Sequence, residues 1–255
     1  MQYSKAFTDA LQFAWGEGFL SPGGPDEVDD MLRGHDIRGR RALDIGSGLG
    51  GVDILLAARH GAAAVVGIDV EEPLIEAARA LVARRGLADR IAFQLVEPGP
   101  LPFPDRSFDM IFSKDAMVHI ADKAALYGEV LRVLRPGGSF VAADWLWADN
   151  AERSPIVQDW LSMGPLSFAF TTPAQAAAAM RAAGFAAVAV SDRRRLLQES
   201  NREEVTLLEG PARERLAAIV GEEMALSRLA SAHGRQRALD SGDLIPCHLS
   251  ARSPG

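Results

Sequence analysis

Cysteine is almost absent: Cys247 stands alone in 255 residues, which excludes an internal disulfide and suits a reducing, cytoplasmic setting. Tyrosine is nearly as scarce, with only Tyr3 and Tyr127, and there are 5 histidines. Basic charge is in deficit, 27 Lys and Arg against 34 Asp and Glu, for a net charge of -7. That balance argues against a broad nucleic-acid-binding face. No run approaches the roughly 20 apolar residues of a membrane span. The start, MQYSKAFTDALQFAWGEGF, has no uninterrupted apolar stretch behind a basic end, so a secretory signal is not expected. What remains is an ordinary balance, 48% hydrophobic and 24% charged, on a chain long enough for one α/β domain with a cap.

Apolar runs and helical periods alternate. RRALDIG (40–46), AAVVGIDV (63–70), RIAFQLVE (90–97), FDMIFSK (108–114) and SFVAADWLW (139–147) read as buried strands. Helices are expected over 52–61, 73–86 and near 122–135, the last stopped by Pro136 and Gly137. After 147 come an irregular or helical insertion over 150–170, a helix over 173–184 and a sixth strand at 185–192. Residues 201–239 read as helical with an interruption at 210–213, and LIPCHLSAR (244–252) closes the chain as a strand. This order implies a doubly wound, Rossmann-like and mostly parallel sheet. The economical description is one domain over 1–255, with cap elements from 1–35, 146–171 and 195–240.

The exit of the first strand, LDIGSGLGG (43–51), spaces Gly46, Gly48 and Gly51 as G-x-G-x-x-G. Glycines there let the backbone turn tightly and approach a ligand at a helix start. Asp69, about 20 residues on, ends the second strand where a carboxylate can accept both ribose hydroxyls. A nicotinamide dehydrogenase and an S-adenosylmethionine methyltransferase both fit so far. Asp44 favours the second, because an acid beside the loop suits a cationic ligand and would repel a pyrophosphate. Its other reading is a cap on the following turn. Glu97 ends the third strand, placed to accept from an adenine amino group.

LRVLRPGGSFVAAD, followed by a late strand, resembles the class I methyltransferases, which implies seven strands with the last antiparallel. WGEGFLSPGG (15–24), LDIGSGLGG and SKDAMVHIADK (113–123) together resemble the phosphoethanolamine N-methyltransferases, and more weakly the sarcosine and dimethylglycine N-methyltransferases. This resemblance implies S-adenosylmethionine as methyl donor, S-adenosylhomocysteine as product and no metal. It puts Leu20, Ser21, Gly46, Asp69, Val70, Glu97, Pro98 and Lys114 on cofactor-contacting positions, beside Asp44 and Gly48. It also implies that Tyr3 pairs with His119, the catalytic residues, and that Asp115 faces the substrate amine. From residue type alone, Asp115 also reads as a helix N-cap, His119 as a surface histidine and Tyr3 as a packing residue.

A protonated amine has no lone pair, so a base near neutral pKa is useful, and histidine is the natural choice. The sequence departs from the family where substrate is chosen. Trp145, Trp160, Gly164 and Leu166 fall on the phosphate-holding positions, so a phosphorylated acceptor is not expected. Trp145, Trp147 and Trp160 can form an aromatic wall for a methylated ammonium, or simply pack the cap. The expected activity is N-methylation of a small amine (EC 2.1.1), with neither nucleic acid nor membrane as partner. Homo-oligomerisation is compatible with the sequence. The alternatives are O-, S- or C-methylation of a larger apolar metabolite and a non-catalytic cofactor-binding subunit.

Overall fold

The strands β1 (Arg41–Ile45) and β4 (Phe108–Lys114) carry apolar residues on both faces, the signature of a parallel sheet covered by helices on both sides. They form the centre of a seven-stranded sheet with β2 (Ala64–Asp69), β3 (Ile91–Leu95), β5 (Leu134–Trp147), β6 (Ala186–Asp192) and β7 (Leu244–Arg252). The computed structural model describes residues 3–149, 151–164 and 166–255. The strand order is β3-β2-β1-β4-β5-β7-β6. β7 runs antiparallel to both β5 and β6, as the resemblance implies.

Because side chains alternate along a strand, neighbouring residues feed opposite cores. Leu43, Ile111 and Phe140 pack with helices α5 (Lys123–Val133) and α7 (Pro173–Ala182) on one face. Ala42, Met110 and Val141 pack on the other with α4 (Glu72–Arg84) and with the helix that begins as α3 (Gly51–Ile54). Leu43, Ile111 and Phe140 are fully buried, and truncating such a side chain to Ala costs about 2–5 kcal/mol.

Several boundaries differ from the sequence reading. The helix after the glycine loop widens into a π-helical turn over Leu55–Arg59. β3 ends at Leu95, so Glu97 lies two residues beyond it. β5 starts at Leu134, ahead of the expected 139, and runs through Pro136 and Gly137. Arg135 precedes proline, which favours extended backbone, and Leu134 is extended at φ -73 and ψ 140, pairing with Phe108. The Pro-Gly pair therefore ends the helix as expected but lies within a strand. The helical tail begins at Arg194 rather than 201.

The cap is built from α1 (Lys5–Trp15), α2 (Gly24–Met31), α6 (Pro155–Leu161), α8 (Arg194–Glu209), α9 (Ala212–Val220) and α10 (Glu222–Ser241). Ala10, Leu208, Leu216 and Ala225 join α1, α8, α9 and α10 in one apolar cluster. A second, with Trp145, Val157, Trp160, Leu197 and Leu239, fastens α6, α8 and α10 to the end of β5. Among the described residues no helix is long and apolar enough to cross a membrane.

Candidate active site

The strand order reverses between β1 and β4, and the crevice at the carboxyl ends of such strands is where open α/β sheets bind ligands. The glycine loop occupies that point. Gly46, Gly48 and Gly50 have φ of 76°, 53° and 83°, a region costly for side-chain-bearing residues. A Cβ on Gly46 would lie 2.1 Å from Ala116 Cβ, so the loop touches the turn that carries Asp115 and His119. A Cβ on Gly51 would lie 2.6 Å from the Gly18 carbonyl oxygen, and the Gly51 N–H donates to that oxygen at 3.2 Å. Loop, turn and N-terminal cap segment thus meet with no room for side chains.

Asp69 braces this loop, its carboxylate accepting from the Gly48 N–H at 2.9 Å and the Glu71 N–H at 3.0 Å. Burial raises its pKa, while these donors oppose the rise. Each carboxylate oxygen has two acceptor sites, so two backbone donors leave capacity for ribose hydroxyls. Leu20 lies against the loop, its Cδ1 3.2 Å from where a Gly48 Cβ would stand. Val70 is exposed despite being apolar, and Glu97 and Pro98 stand in the open beyond β3.

Asp44 is buried beneath the loop rather than open to the crevice. Its partner is Asp53 on α3, a residue the sequence reading missed. Both carboxyl groups are buried, and among the described residues neither receives an ordinary hydrogen-bond donor. Burial and the neighbouring charge push the pKa of Asp53 well above the carboxylate range, and burial raises that of Asp44 as well, so the pair shares a proton. The Gly67 backbone leaves room for this pair, since a Cβ there would stand 2.7 Å from Asp53 Oδ1.

Lys114 ends β4 with its ammonium saturated. Nζ donates to Ser21 Oγ at 2.9 Å, the Pro22 carbonyl at 2.6 Å and Asp115 Oδ2 at 2.7 Å, and pairs with Glu27 Oε2 at 2.8 Å. Glu27 in turn meets His248 Nε2 at 3.2 Å. The buried lysine therefore ties the cap segment carrying Leu20 and Ser21 to the sheet, and its coulombic partners raise its pKa against desolvation. Asp115 has φ 55°, a left-handed conformation that aspartate tolerates better than most residues, and its N–H donates to the Ala143 carbonyl at 2.8 Å. It is not the N-cap of a helix: Asp122 caps α5, accepting from the Ala125 N–H.

His119 ends a 3-10 turn over Met117–His119, and its ring is half-buried. Nδ1 lies 2.5 Å from the Ser167 carbonyl oxygen, which can only accept, so Nδ1 carries the proton and Nε2 keeps its lone pair. Phe168 packs on the ring at 5.2 Å between centroids. Burial lowers the His119 pKa, which holds the imidazole neutral. Two residues the sequence reading missed fix the turn. Asp144 on β5 accepts from the Val118 N–H at 2.9 Å, and Lys123 Nζ donates to the Met117 carbonyl. An acid inside the apolar run VAADWLW was the available signal for Asp144, because a buried carboxylate requires a job.

Tyr3 packs on Phe7 at 5.9 Å, and its hydroxyl lies in the field of Asp69, Glu71 and Asp115, which, after burial, raises its pKa. Among the described residues Tyr3 and His119 make no direct hydrogen bond. Trp160 and Phe168 line a cavity of about 320 Å³ under the cap, together with Trp15, Leu20, Leu166 and Arg228. Trp145 stands 6.0 Å from Trp160, and Trp147 stacks on Phe170. Glycine cradle, braced acid and capped crevice suit S-adenosylmethionine: Gly46, Gly48 and Asp69 would hold it. No cluster of three or more metal-ligating side chains occurs among the described residues.

The seven-stranded order with β7 antiparallel is the class I methyltransferase fold. The chain belongs to the methyltransferase-domain family, whose model matches residues 37–201. It is 32% identical over 146 residues to phosphoethanolamine N-methyltransferase 1 of Arabidopsis thaliana, covering 57% of this chain and 29% of that one. It is 36% identical over 164 residues to 24-methylenesterol C-methyltransferase 2 of rice, Oryza sativa subsp. japonica, covering 57% of this chain and 44% of the relative. The chain thus spans less than half the length of these curated relatives. A Haemonchus contortus phosphoethanolamine N-methyltransferase 2, solved with phosphomonomethylethanolamine and S-adenosylhomocysteine, superposes with a TM-score of 0.92 at 22% identity. That match covers all of this chain (100%) and 59% of that one. A putative sarcosine dimethylglycine methyltransferase from Galdieria sulphuraria superposes at 0.78 with 21% identity, covering 90% of this chain and 84% of that one.

Proposed function

We propose that this chain uses S-adenosylmethionine to N-methylate a small amine, with His119 as general base. The observation that carries the reading is the His119–Ser167 hydrogen bond, which leaves the Nε2 lone pair free on the same turn that carries Asp115 and touches the glycine loop through Ala116. When bound, the cofactor supplies an electrophilic methyl on a sulfonium. Asp115 attracts the ammonium form of the acceptor. His119 Nε2 removes one proton from that nitrogen, which frees the lone pair for the methyl. Tyr3 and the N-terminal cap close over the crevice and exclude water, so that orientation supplies much of the rate.

C-methylation of an apolar acceptor is the second reading, favoured by the cavity wall of Trp160, Leu161, Leu166 and Phe168. The test is incubation with labelled S-adenosylmethionine and a panel of small amines, phenols, thiols and sterols. Label transfer to an amine supports the first reading. Transfer only to sterol carbon or a phenol overturns it.

A further inference from the structure

Helix α10 presents Ser227, Arg228, Ser231 and Arg235 on one face, at the three- and four-residue spacing that aligns side chains along a helix. All four line the cavity under the cap, whose other walls are largely apolar. Arg228 and Arg235 are each only 4% exposed. One carboxylate serves both: Glu204 Oε1 pairs with Arg228, and Glu204 Oε2 accepts from Arg235 at 2.5 Å. Asn201 Oδ1 accepts from Arg235 Nε at 2.6 Å, satisfying a proton but no charge. Trp15 stands against both guanidinium groups, at 4.6 Å and 5.4 Å from its ring.

The arrangement holds two buried cations against one buried anion. Arg228 Nε has no hydrogen-bond partner among the described residues. Buried charge is normally matched, because desolvating an ion without a counter-ion is costly. Trp15 offsets part of this through its ring, about 0.5–2 kcal/mol per contact, less than a full counter-charge. The excess is one positive charge. It is matched by a monoanion; a phosphate near −2 would reverse the imbalance.

We infer that the α10 face around Arg228, with Ser231, is the anion subsite of the acceptor cavity and takes a carboxylate. Resting on the amine reading above, this makes the acceptor a zwitterion, its ammonium towards Asp115 and His119 and its carboxylate towards α10. Leu20 links the cavity to the glycine loop, and Phe168 links it to the His119 ring.

The test separates the anion from the amine. Protein saturated with S-adenosylhomocysteine is titrated calorimetrically with 3,3-dimethylbutanoate and with 3,3-dimethylbutan-1-ol, which match in shape and lack nitrogen. The acid should bind at least tenfold tighter than the alcohol, and Arg228→Met should erase the difference while Arg228→Lys keeps part of it. Circular dichroism reports whether each variant folds; if Arg228→Met does not, the wild-type ratio alone decides. Equal binding, or no binding of the acid, overturns the subsite. In a separate assay the KM for N,N-dimethylglycine should lie at least tenfold below that for N,N-dimethylaminoethanol. Failure to methylate either amine, with the acid still preferred, sinks the amine reading and leaves the anion subsite standing.

Discussion

His119 donates its Nδ1 proton to the carbonyl of Ser167, so one residue of the cap insertion sets which nitrogen of the ring is basic. If that nitrogen is the base, His119→Ala should lower kcat by about 10²–10⁴. Affinity for S-adenosylhomocysteine should stay within about threefold, since the ring is not among the groups bracing the glycine loop. Steady-state turnover and calorimetry read the two quantities. Near-normal kcat in the variant would remove the base role.

The same residue predicts a pH profile. Burial lowers its pKa from the ordinary 6.5, so the ring stays neutral below the pH at which a free histidine protonates. Turnover should therefore hold through pH 6.5 and fall only at more acid values, as Nε2 gains its proton. An acid limb centred above 6.5 in kcat against pH would contradict this.

Gly46 supplies a steric prediction. Its φ of 76° and the 2.1 Å approach of Ala116 Cβ make Gly46→Ala unfavourable twice over. Strain in the left-handed region costs about 1–2 kcal/mol, and the overlap forces the loop away from the Asp115 turn. S-adenosylhomocysteine affinity should drop by tenfold or more. Adding Ala116→Gly should recover part of that loss, because it removes the overlap and leaves the strain. An equal affinity in single and double variants would mean the contact is unimportant.

Asp69→Ala should also weaken S-adenosylhomocysteine by tenfold or more, since charge-assisted hydrogen bonds are each worth roughly 1.5–3 kcal/mol. Part of the effect would come from the loop itself, which loses the Gly48 brace. Binding of NAD with S-adenosylhomocysteine ignored would overturn the cofactor assignment.

The Asp44–Asp53 pair predicts how stability varies with pH. Burial and the neighbouring Asp44 charge raise the Asp53 pKa above its ordinary 3.8, so the folded pair keeps a proton that the unfolded chain gives up. The stability that this proton confers is complete below the unfolded value and is lost as pH rises through the folded one. Asp53→Asn gives Asp44 a permanent donor of the same shape. The melting temperature of the wild type should fall by about 3–6 °C per pH unit relative to the variant across that window, from about 1.4 kcal/mol per unit and 2–4 °C per kcal/mol. Parallel melting curves from pH 4 to pH 9 would show that no proton is shared.

Much of this site was legible because its signals are local. The glycine spacing, Asp69 at a strand end and the Asp115–His119 pair each lie within a few residues of the strand that positions them. What escaped are pairings between separate elements: Asp44 on β1 with Asp53 on α3, Asp144 on β5 under Val118, and Arg228 and Arg235 on α10 with Glu204 on α8. Spacing along a sequence carries no record of which acids meet in the fold. Lys114 shows the intermediate case. Its position at the strand end was read, but saturation by Ser21, Pro22, Glu27 and Asp115 depends on the cap segment folding back.

Gly164, Leu166 and Trp160, on the positions where the resembled enzymes hold phosphate, all line the cavity, and Trp145 lies behind Trp160. None of the three can neutralise a phosphate, and the single excess positive charge of Arg228 and Arg235 would leave a desolvated dianion only half matched. A methylated ammonium is weakly hydrated and finds the Trp160 face and, through the Asp115 turn, a carboxylate. Glycine betaine should therefore inhibit turnover better than phosphocholine. Trp160→Leu should raise its inhibition constant by about 2- to 30-fold, the range of one cation–π contact of 0.5–2 kcal/mol. The substitution keeps the site apolar, so a change in inhibition without a change in S-adenosylhomocysteine affinity assigns the loss to the ring. Tight inhibition by phosphocholine would return this chain to the phosphobase-methylating enzymes. Insensitivity of betaine to Trp160→Leu would make the tryptophan a packing residue.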